Sequence, residues 1–428
     1  MQATQQKANQ NNLLEKVFKL SEHGTNVKTE IIAGITTFMT MAYILAVNSN
    51  MLAEAGMDAG AVFVATALSA TISCFVMAFL SNYPIALAPG MGLNAFFAYT
   101  VVLQMGYTWQ MALLGVFIEG VLFIILTVTS LREQIINCIP KDLKNAVTAG
   151  VGLFIASVGM TNAGIINTAN GTLALSSLHD PLVVLSVVGL VIAGILVCRN
   201  VRGALLLSIL LTSAIGMLTG IVTLPTKIVS LNVPSLAPTF MQAFSVPLEK
   251  IFSLDMVIVV FTFLFMDLFD SVGFLVGVAA KGNLIDENGK IPKAKQAMLA
   301  DAIGTTVGAV LGTSTVTCFM ESSAGISEGG KTGLTAFTVG VLFGLSLFLA
   351  PLFIAIPSQA TGAVLIIVGV MMASCFKEID FEDYTNAIPA FLTFILMPLT
   401  NSVADGIIFG IVSYTLLKLV TNKKEDIN

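Results

Sequence analysis

Long apolar runs recur along nearly the whole chain and restrict its fold more than any other feature. Most have about 17–25 residues, the length of a helix that crosses the hydrocarbon core of a membrane. Only 11% of the residues are charged, against about 25% in a typical soluble domain. The sequence therefore predicts an all-α polytopic membrane protein with about 14 transmembrane segments. They lie near residues 29–49, 60–80, 85–103, 110–129, 145–163, 181–198, 203–223, 256–280, 296–312, 313–331, 333–354, 359–376, 386–399 and 402–420.

Positive charge sets the orientation of these segments. With a cytoplasmic N-terminus, all of the 20 Lys and Arg residues except Lys227 and Lys250 fall in cytoplasmic segments. Cytoplasmic loops of membrane proteins carry this excess of Lys and Arg. Residues 1–27 are polar and lack the apolar region of a secretory signal peptide. We therefore expect cytoplasmic tails at 1–27 and 421–428 on a multi-pass protein of the plasma (inner) membrane.

The segments divide into seven plus seven, with the longer connection 224–255 between the halves. An odd number of segments in each half inverts one half relative to the other in the membrane. Inverted repeats are common in secondary transporters, whose sites lie near the midplane between discontinuous helices. A break in segment 10 should therefore have a counterpart in segment 3.

Segment 10 contains a break at residues 311–326, which read LGTSTVTCFMESSAGI. The stretch is rich in small hydroxyl residues and carries one acid, Glu321. Lipid offers the backbone no hydrogen-bond partners, so such a break persists only where it lines a polar cavity or is buried in protein. An acid at membrane depth indicates a functional site, and we expect this stretch to supply half of a substrate site.

Segment 3 contains a similar break at residues 86–97, which read ALAPGMGLNAFF. Pro89 removes a backbone donor, while Gly90 and Gly92 permit non-helical dihedral angles. Asn94 then places an amide at membrane depth. The alternative interpretation is that each break is only a Pro/Gly kink in an ordinary packed helix. Two breaks at corresponding positions favour a binding site with broken helices in segments 3 and 10.

Segment 8 adds two acids, Asp267 and Asp270, which are three residues apart and so share one helix face. Unpaired carboxylates are costly inside a membrane, so we expect both to face protein or a water-filled cavity. Burial and mutual repulsion favour a proton on at least one of them, as a proton carrier requires. The alternative is a structural hydrogen bond to broken backbone or a neighbouring helix. Three further acids rank lower, as structural partners or secondary proton sites: Glu119, Asp301 and Asp405.

The residue types in the segments limit which groups can carry a proton and which substrates can bind. His23 and His179 lie outside the segments and no Lys or Arg lies in a segment core, so proton coupling would run through carboxyl groups. Two carboxyls and a carboxamide match the alternating donors and acceptors of a neutral nucleobase, although other polar neutral solutes also fit.

The five cysteines are single and lack metal-site spacing, so we expect no metal or cofactor. Four phenylalanines either stack on a flat ring or simply pack: Phe96, Phe97, Phe274 and Phe319.

The same residues carry a family resemblance. From about Phe18 to Leu417 the chain resembles the nucleobase–cation symporter-2 (nucleobase–ascorbate transporter) superfamily, most closely its adenine/guanine/hypoxanthine permease branch. The similar motifs are EIIAGITTFMTMAYI at 30–44, APGMGLNA at 88–95, DLFDSVG at 267–273 and ESSAG at 321–325.

The resemblance implies a core domain and a gate domain, each built from both halves. The core domain comprises residues 28–130 (segments 1–4) and 256–355 (segments 8–11). The gate domain comprises residues 131–255 (segments 5–7) and 356–420 (segments 12–14). Short strand-like pieces in segments 3 and 10 are expected to hold the substrate against segment 8. Related transporters form dimers through the gate domain, but the sequence leaves the oligomeric state open.

The resemblance also implies roles for individual residues. Asp270 and Glu321 match the substrate-binding acids of segments 8 and 10. Asn94 and Gly92 match segment-3 residues that are important for purine transport, and Asp267 matches a second segment-8 acid of this branch. Uracil permeases of the superfamily have a histidine four residues after the segment-8 acid, where this chain has a phenylalanine. That departure favours a purine permease that moves protons through carboxyl groups.

These observations predict a transporter rather than an enzyme. We expect a proton-coupled importer of guanine, hypoxanthine and/or adenine, in which the core moves against the gate in an elevator-like or rocking manner. The proton would be carried by Asp267, Asp270 or Glu321. The sequence leaves open which carboxyl carries it, which purine is preferred, and whether H⁺ or Na⁺ is the coupling ion.

Two alternatives fit less well. An anion transporter or channel of the same inverted-repeat fold would show a buried cation or a clear excess of helix N-termini aimed at the site. The absence of Lys and Arg from the segment cores counts against it. An intramembrane aspartyl protease would share a proton between two acids, but such enzymes place them on different helices. The chain also lacks their Gly-x-Gly-Asp signature.

Overall fold

The fold is that of a computed structural model, which describes residues 13–129, 140–167, 174–223, 229–247, 251, 253–281 and 291–421. Residues 1–12 and 422–428 of the predicted tails lie outside the described residues. The helices of the N-terminal half are α1 (Leu13–Phe18), α2 (Val27–Met41), α3 (Ile44–Glu54), α4 (Ala59–Leu80), α5 (Met91–Ala95), a π-helix (Phe96–Gln104), α6 (Trp109–Val128), α7 (Lys141–Asn162), α8 (Pro181–Cys198) and α9 (Ala204–Leu218).

The C-terminal half continues with α10 (Leu254–Lys281), α11 (Ala294–Leu311), α12 (Ser322–Ser327), α13 (Gly333–Ser346), α14 (Ala350–Ile354), α15 (Ser358–Ala373), α16 (Tyr384–Thr400) and α17 (Val403–Val420). Short 3-10 helices span Gln242–Ser245, Leu347–Leu349 and Ser374–Glu378. The strands are β1 (Leu87–Pro89), β2 (Ile166–Asn167), β3 (Ala174–Leu175) and β4 (Val316–Cys318).

Many of these helices are long and apolar enough to cross a membrane. Within the described residues, eight such spans occur: Val27–Glu54, Ala59–Leu80, Trp109–Val128, Asp142–Asn162, Pro181–Cys198, Gly333–Ile354, Ser358–Glu378 and Val403–Val420. Three further apolar helices are shorter: Met91–Gln104, Ala204–Leu218 and Tyr384–Thr400. The chain is therefore a mostly helical, multi-pass membrane protein.

Sequence signals explain where helix α4 begins and where helix α11 ends. Asp58 caps α4, because its Oδ1 accepts a hydrogen bond from the Ala61 backbone N–H at 2.7 Å, as N-cap acids do. Gly312 ends α11 in the left-handed region, with φ of +98°, which glycine adopts without strain. A Cβ at Gly312 would overlap the side chain of Thr239. Any other residue there would disturb the turn that leads into β4.

The helices pack in two sets. The first helix set contains α2–α6 and α10–α14, in which α6 packs on α10 and α11, while α4 packs on α11 and α13. The second helix set contains α7–α9 and α15–α17, in which α7 packs on α15 and α16. The sets meet where α5 contacts α7, α3 contacts α15 and α2 contacts α9.

Glycines bring α7 and α15 of the second set close together. A Cβ at Gly152 would lie 2.7 Å from the carbonyl oxygen of Gly369. A Cβ at Gly362 would lie 2.9 Å from the carbonyl oxygen of Gly159. Small residues allow such backbone approach between membrane helices, where van der Waals packing drives association.

A two-stranded antiparallel sheet lies inside the first helix set. Its register pairs Leu87 with Cys318, Ala88 with Thr317, and Pro89 with Val316, and all six residues are buried. Each strand lies in one of the two stretches that the sequence marked by unusual composition. Because the backbone is not helical at residues 87–89 and 316–318, each strand needs hydrogen-bond partners, which the other strand supplies. We call residues 87–89 and 316–318 the strand pair.

The ends of the strand pair are also hydrogen-bonded. The Gly90 N–H donates to the Thr315 carbonyl at 3.0 Å, and the Phe319 N–H donates to the Ala86 carbonyl at 3.1 Å. Beyond these bonds the chain turns into α5 on one side and α12 on the other. The strand pair thus holds the beginnings of two helical segments from different halves of the chain next to each other.

Candidate functional site

Asp270 and Gly92 are neighbours across the first helix set. A Cβ at Gly92 would lie 3.5 Å from Asp270 Oδ2 and 2.6 Å from Val151 Cγ1. Val151 belongs to α7 of the second helix set, so this point is also a contact between the two sets. Asp270 is 6% exposed. A side chain at residue 92 would overlap Val151, so glycine permits this contact between the sets next to Asp270.

Glu321 lies directly before α12, beyond the end of β4. Its Oε1 accepts a hydrogen bond from the Tyr43 hydroxyl at 2.8 Å. Tyr43 is 1% exposed and occupies the irregular joint between α2 and α3. A hydrogen bond to a charged group both strengthens the contact and fixes its direction, so Tyr43 orients the Glu321 carboxyl group.

The elements that carry these acids meet at the strand pair. Helix α10, which carries Asp270, contacts β4, α5 and α12. Gly92 lies in α5 and Glu321 precedes α12. The structure therefore brings these elements together, although they lie far apart in sequence.

Asn94 links the stretch at residues 86–97 to the stretch at residues 311–326. Its Oδ1 accepts a hydrogen bond from Ser314 Oγ, and its Nδ2 lies 3.5 Å from the Pro89 carbonyl oxygen. Asn94 is fully buried. Its amide thus holds α5 against the residues that precede β4.

Asp267 lies three residues from Asp270 but has different surroundings. Its Oδ1 accepts a hydrogen bond from Ser271 Oγ at 2.8 Å, and the same hydroxyl contacts Asp301 Oδ2. The Glu119 carboxyl lies within hydrogen-bonding reach of Asp267. All three acids are fully buried. Glu119 and Asp301, which the sequence ranked below the segment-8 acids, thus form one cluster with Asp267.

The remaining sequence candidates are Asp405 and four phenylalanines. Asp405 is in the first turn of α17, in the second helix set. Phe96 and Phe97 pack on Phe263, with ring centroids 4.8 and 6.5 Å apart, as core aromatic residues do. Phe319 is 5% exposed. The side chain of the residue at position 274 lies outside the described residues.

A sequence comparison decides the family. The model of the Permease family (Xan_ur_permease) matches residues 28–409, which include every element of the site described above.

The chain belongs to the Permease family.

Curated relatives of this permease carry transporter names. It is 45% identical to the guanine/hypoxanthine permease PbuG of Bacillus subtilis, over 97% of this chain and 96% of that protein. It is 43% identical to the adenine permease AdeP of Escherichia coli, over 97% of this chain and 93% of that protein. These identities place the permease in the nucleobase transporter branch that its motifs resemble, and it is not an enzyme.

Solved structures share the permease's fold. The transmembrane domain of the cyanobacterial bicarbonate transporter BicA aligns with a TM-score of 0.66 at 16% identity, over 90% of this chain and 97% of that one. The murine anion transporter Slc26a9 in its inward-facing state aligns with a TM-score of 0.64 at 12% identity, over 92% of this chain and 68% of that one. Identities this low show the fold alone.

The permease's site also includes residues that the sequence did not single out. They are Tyr43, Ser271, Ser314, Thr315 and Thr317, which hydrogen-bond the predicted acids and amide or their neighbours. Three of them lie within the hydroxyl-rich break at 311–326 and Tyr43 lies within the motif at 30–44. The unusual composition of the break and the family motif therefore pointed to these regions. The sequence does not show which group each hydroxyl contacts, because that depends on packing between distant segments.

Proposed function

We propose that this permease imports purine nucleobases, namely guanine, hypoxanthine and/or adenine, by proton symport across the plasma (inner) membrane. The observation that carries the proposal is the Asp270 carboxyl beside Gly92, where α10 reaches the strand pair and the second helix set. The relatives named as guanine/hypoxanthine and adenine permeases support the choice of purines.

The proposed topology has fourteen spans in a 7+7 inverted repeat, with both termini cytoplasmic. The first helix set would be the core domain (28–130 and 256–355), and the second the gate domain (131–255 and 356–420). Helix packing supports this division, because each set contains helices from both halves of the chain. The likeness to BicA and Slc26a9 supports it at the level of the fold.

The proposed substrate site uses Asp270 and Glu321 as its two anchors. An ionised carboxylate accepts hydrogen bonds only, so it suits the ring N–H groups of a purine, whereas a protonated carboxyl also donates to a ring nitrogen or carbonyl. Gly92 allows α5 to approach Val151 of α7 next to Asp270. Asn94 fixes α5 against the residues before β4 through Ser314. Loss of either acid would leave purine donors without partners in a site closed to water.

Transport would require the first helix set to move against the second. Polar contacts join the sets at the end where α3, the π-helix and α7 terminate. Asn162 Nδ2 of α7 donates hydrogen bonds to the Glu54 carboxylate at 3.0 Å and to the Tyr99 hydroxyl at 2.6 Å. Gln104 Nε2 donates to the Thr400 carbonyl at 2.8 Å. In the proposed topology this is the outer end, so these contacts would break whenever the site opens outward.

Uptake of radiolabelled hypoxanthine, guanine and adenine tests the proposal, in cells that lack their own nucleobase permeases. We expect saturable uptake by the wild type that rises when the outside is made more acidic. Asp270→Ala and Glu321→Ala should each reduce uptake to background. The matched control is Asp255→Ala, the same change at an exposed position of the same helix, which should transport normally.

The outcomes separate the parts of the proposal. Wild-type uptake by both Asp270→Ala and Glu321→Ala would refute the site. Uptake of labelled bicarbonate or chloride with no nucleobase uptake would favour the anion transporter. Competition by a panel of purines at two pH values would rank the substrates, and replacing external Na⁺ by choline would reveal any sodium coupling.

A further inference from the structure

Behind the strand pair lies a buried cluster of three carboxyl groups from three helices. Glu119 comes from α6, Asp267 from α10 and Asp301 from α11, and each is 0% exposed. Hydroxyl groups link this carboxyl cluster to the residues of β4 and those just before it. Glu119 Oε2 accepts from Thr315 Oγ1 at 3.1 Å. The cluster and the proposed substrate acids therefore flank the same strand.

The contacts of the Ser271 hydroxyl favour a proton within the cluster. Three oxygens lie within hydrogen-bonding distance of Ser271 Oγ: Asp267 Oδ1 at 2.8 Å, Asp301 Oδ2, and Thr317 Oγ1 at 3.0 Å. A serine hydroxyl has one proton to donate, so it satisfies one carboxylate at a time. The second carboxyl makes a favourable contact only if it carries a proton itself and donates it to the serine oxygen.

Glu119 gives a second, independent indication. Its Oε1 is buried and receives no hydrogen bond from an N–H or O–H group of the described residues. The Glu119 carboxyl group lies beside the Asp267 carboxyl. Two carboxylates repel each other at such a distance in a medium of low dielectric constant, whereas one shared proton turns the contact into a hydrogen bond. One proton shared between Glu119 and Asp267 would therefore stabilise this contact.

We propose that the cluster of Glu119, Asp267 and Asp301 binds the coupled proton, at a site separate from the acids that hold the substrate. This inference rests on the proposed function and specifies where its coupling ion is held. The titratable groups beside Glu119 are Asp267 and Asp301. Asp270, three residues from Asp267 on α10, interacts with it electrostatically. Among the described residues no group of His, Cys, Asp and Glu is arranged to hold a metal ion.

The cluster is connected to the substrate acids in two ways. One is electrostatic: a proton added to the cluster removes a repulsive charge from beside Asp270, which then more readily accepts a purine N–H in its ionised form. The other is mechanical: Thr315, which donates to Glu119, also accepts the Gly90 N–H through its carbonyl. Gly90 is two residues before Gly92, the neighbour of Asp270.

The proton balance of the cycle is simple. On the loading side one proton adds to a carboxylate oxygen of the cluster, and purine binds with Asp270 ionised. On the releasing side the purine leaves and the same proton returns to water. The cluster ends with the charge it had at the start, and one proton crosses with each purine.

Purified protein in proteoliposomes tests this assignment, with hypoxanthine as the probe. Glu119→Gln and Asp301→Asn replace an acid by its neutral isostere, and Asp255→Asn is the control. Two rates are compared: exchange of labelled hypoxanthine across the membrane without a gradient, and accumulation driven by a pH gradient. Because exchange needs no net proton movement, we expect both cluster variants to exchange within about threefold of wild type and to lose accumulation by about tenfold or more.

Hypoxanthine binding at different pH values gives a second readout. In the wild type, binding should weaken as the pH rises and the cluster loses its proton. In Glu119→Gln and Asp301→Asn the binding should depend much less on pH. A purely structural role for these residues would lower binding and exchange at every pH alike.

Several results would overturn the inference while leaving the proposed function intact. Accumulation at the wild-type level by both variants would show that the proton is held elsewhere, and a requirement for external Na⁺ would show a different coupling ion. If neither variant folds, the infrared spectrum of the wild-type protein tests whether the cluster is protonated. A missing carbonyl band of protonated carboxyl groups at neutral pH would exclude a protonated cluster. If the wild type neither binds nor exchanges any purine, it is the proposed function that fails.

Discussion

The two strand-containing stretches, residues 86–97 (called the first segment below) and 311–326 (the second segment), reach similar geometry by different means. Both contain a three-residue buried strand followed by a helix, but the first is shaped by missing side chains and the second by hydroxyl groups. Gly90 and Gly92 sit where a Cβ would press on Thr317 or Val151. In the second segment, hydroxyls bond to partners from other segments: Ser314 to Asn94, Thr315 to Glu119 and Thr317 to Ser271. The first segment should therefore be sensitive to added volume, and the second to lost hydrogen bonds.

The largest expected effect comes from Gly90→Ala. The backbone of Gly90 has φ of −78° and ψ of 133°, which any residue adopts, so its need for glycine is steric. A Cβ there would lie 2.5 Å from Thr317 Cγ2. We expect a loss of about 2–3 kcal/mol in the free energy of unfolding, typical of an overpacked core. A lower melting temperature of the purified protein and reduced hypoxanthine uptake would report it.

Removal of the Thr317 Cγ2 methyl group, which a Cβ at Gly90 would overlap, provides a control for Gly90→Ala. Thr317→Ser keeps the hydroxyl that contacts Ser271 and removes Cγ2. The double variant Gly90→Ala/Thr317→Ser should therefore recover most of the stability lost by Gly90→Ala. An additive loss in the double variant would mean that the alanine acts through something other than this contact.

An intermediate effect is expected from Thr315→Val in the second segment. Valine keeps the volume of threonine but removes the hydroxyl that donates to Glu119 at 3.1 Å, leaving a buried carboxyl oxygen without that donor. The cost should be about 1–2 kcal/mol in the free energy of unfolding, measured by thermal denaturation. Thr306→Val is the matched control, because the Thr306 hydroxyl bonds only the carbonyl of Ala302 in its own helix among the contacts described. Equal losses in the two variants would contradict the contrast between the segments.

The same contrast explains what the sequence predicted and what it did not. Residues 86–97 and 311–326 stood out by composition, because proline, glycine and small hydroxyl residues are unusual within apolar runs, and the strand pair lies inside them. The spacing of Asp267 and Asp270 indicated one helix face, yet Asp270 faces Gly92 while Asp267 joins Glu119 and Asp301. Which acid meets which hydroxyl is decided by the packing of α6, α10 and α11, and a single sequence carries no pattern for contacts between segments nearly 200 residues apart.

The smallest expected effect is that of Tyr43→Phe, which bears on the second segment where it continues into α12. Phenylalanine fills the same space in the joint between α2 and α3, so the melting temperature should hardly change. The Glu321 carboxylate loses the hydroxyl that donates to its Oε1 at 2.8 Å, a hydrogen bond of about 0.5–1.5 kcal/mol. If Glu321 binds the purine, this loss of orientation should appear as a KM for hypoxanthine uptake raised by about tenfold or less, with the maximal rate less affected. A variant with wild-type KM would show that Tyr43 positions α12 without directing its acid, and the second segment would then resemble the first in depending on shape alone.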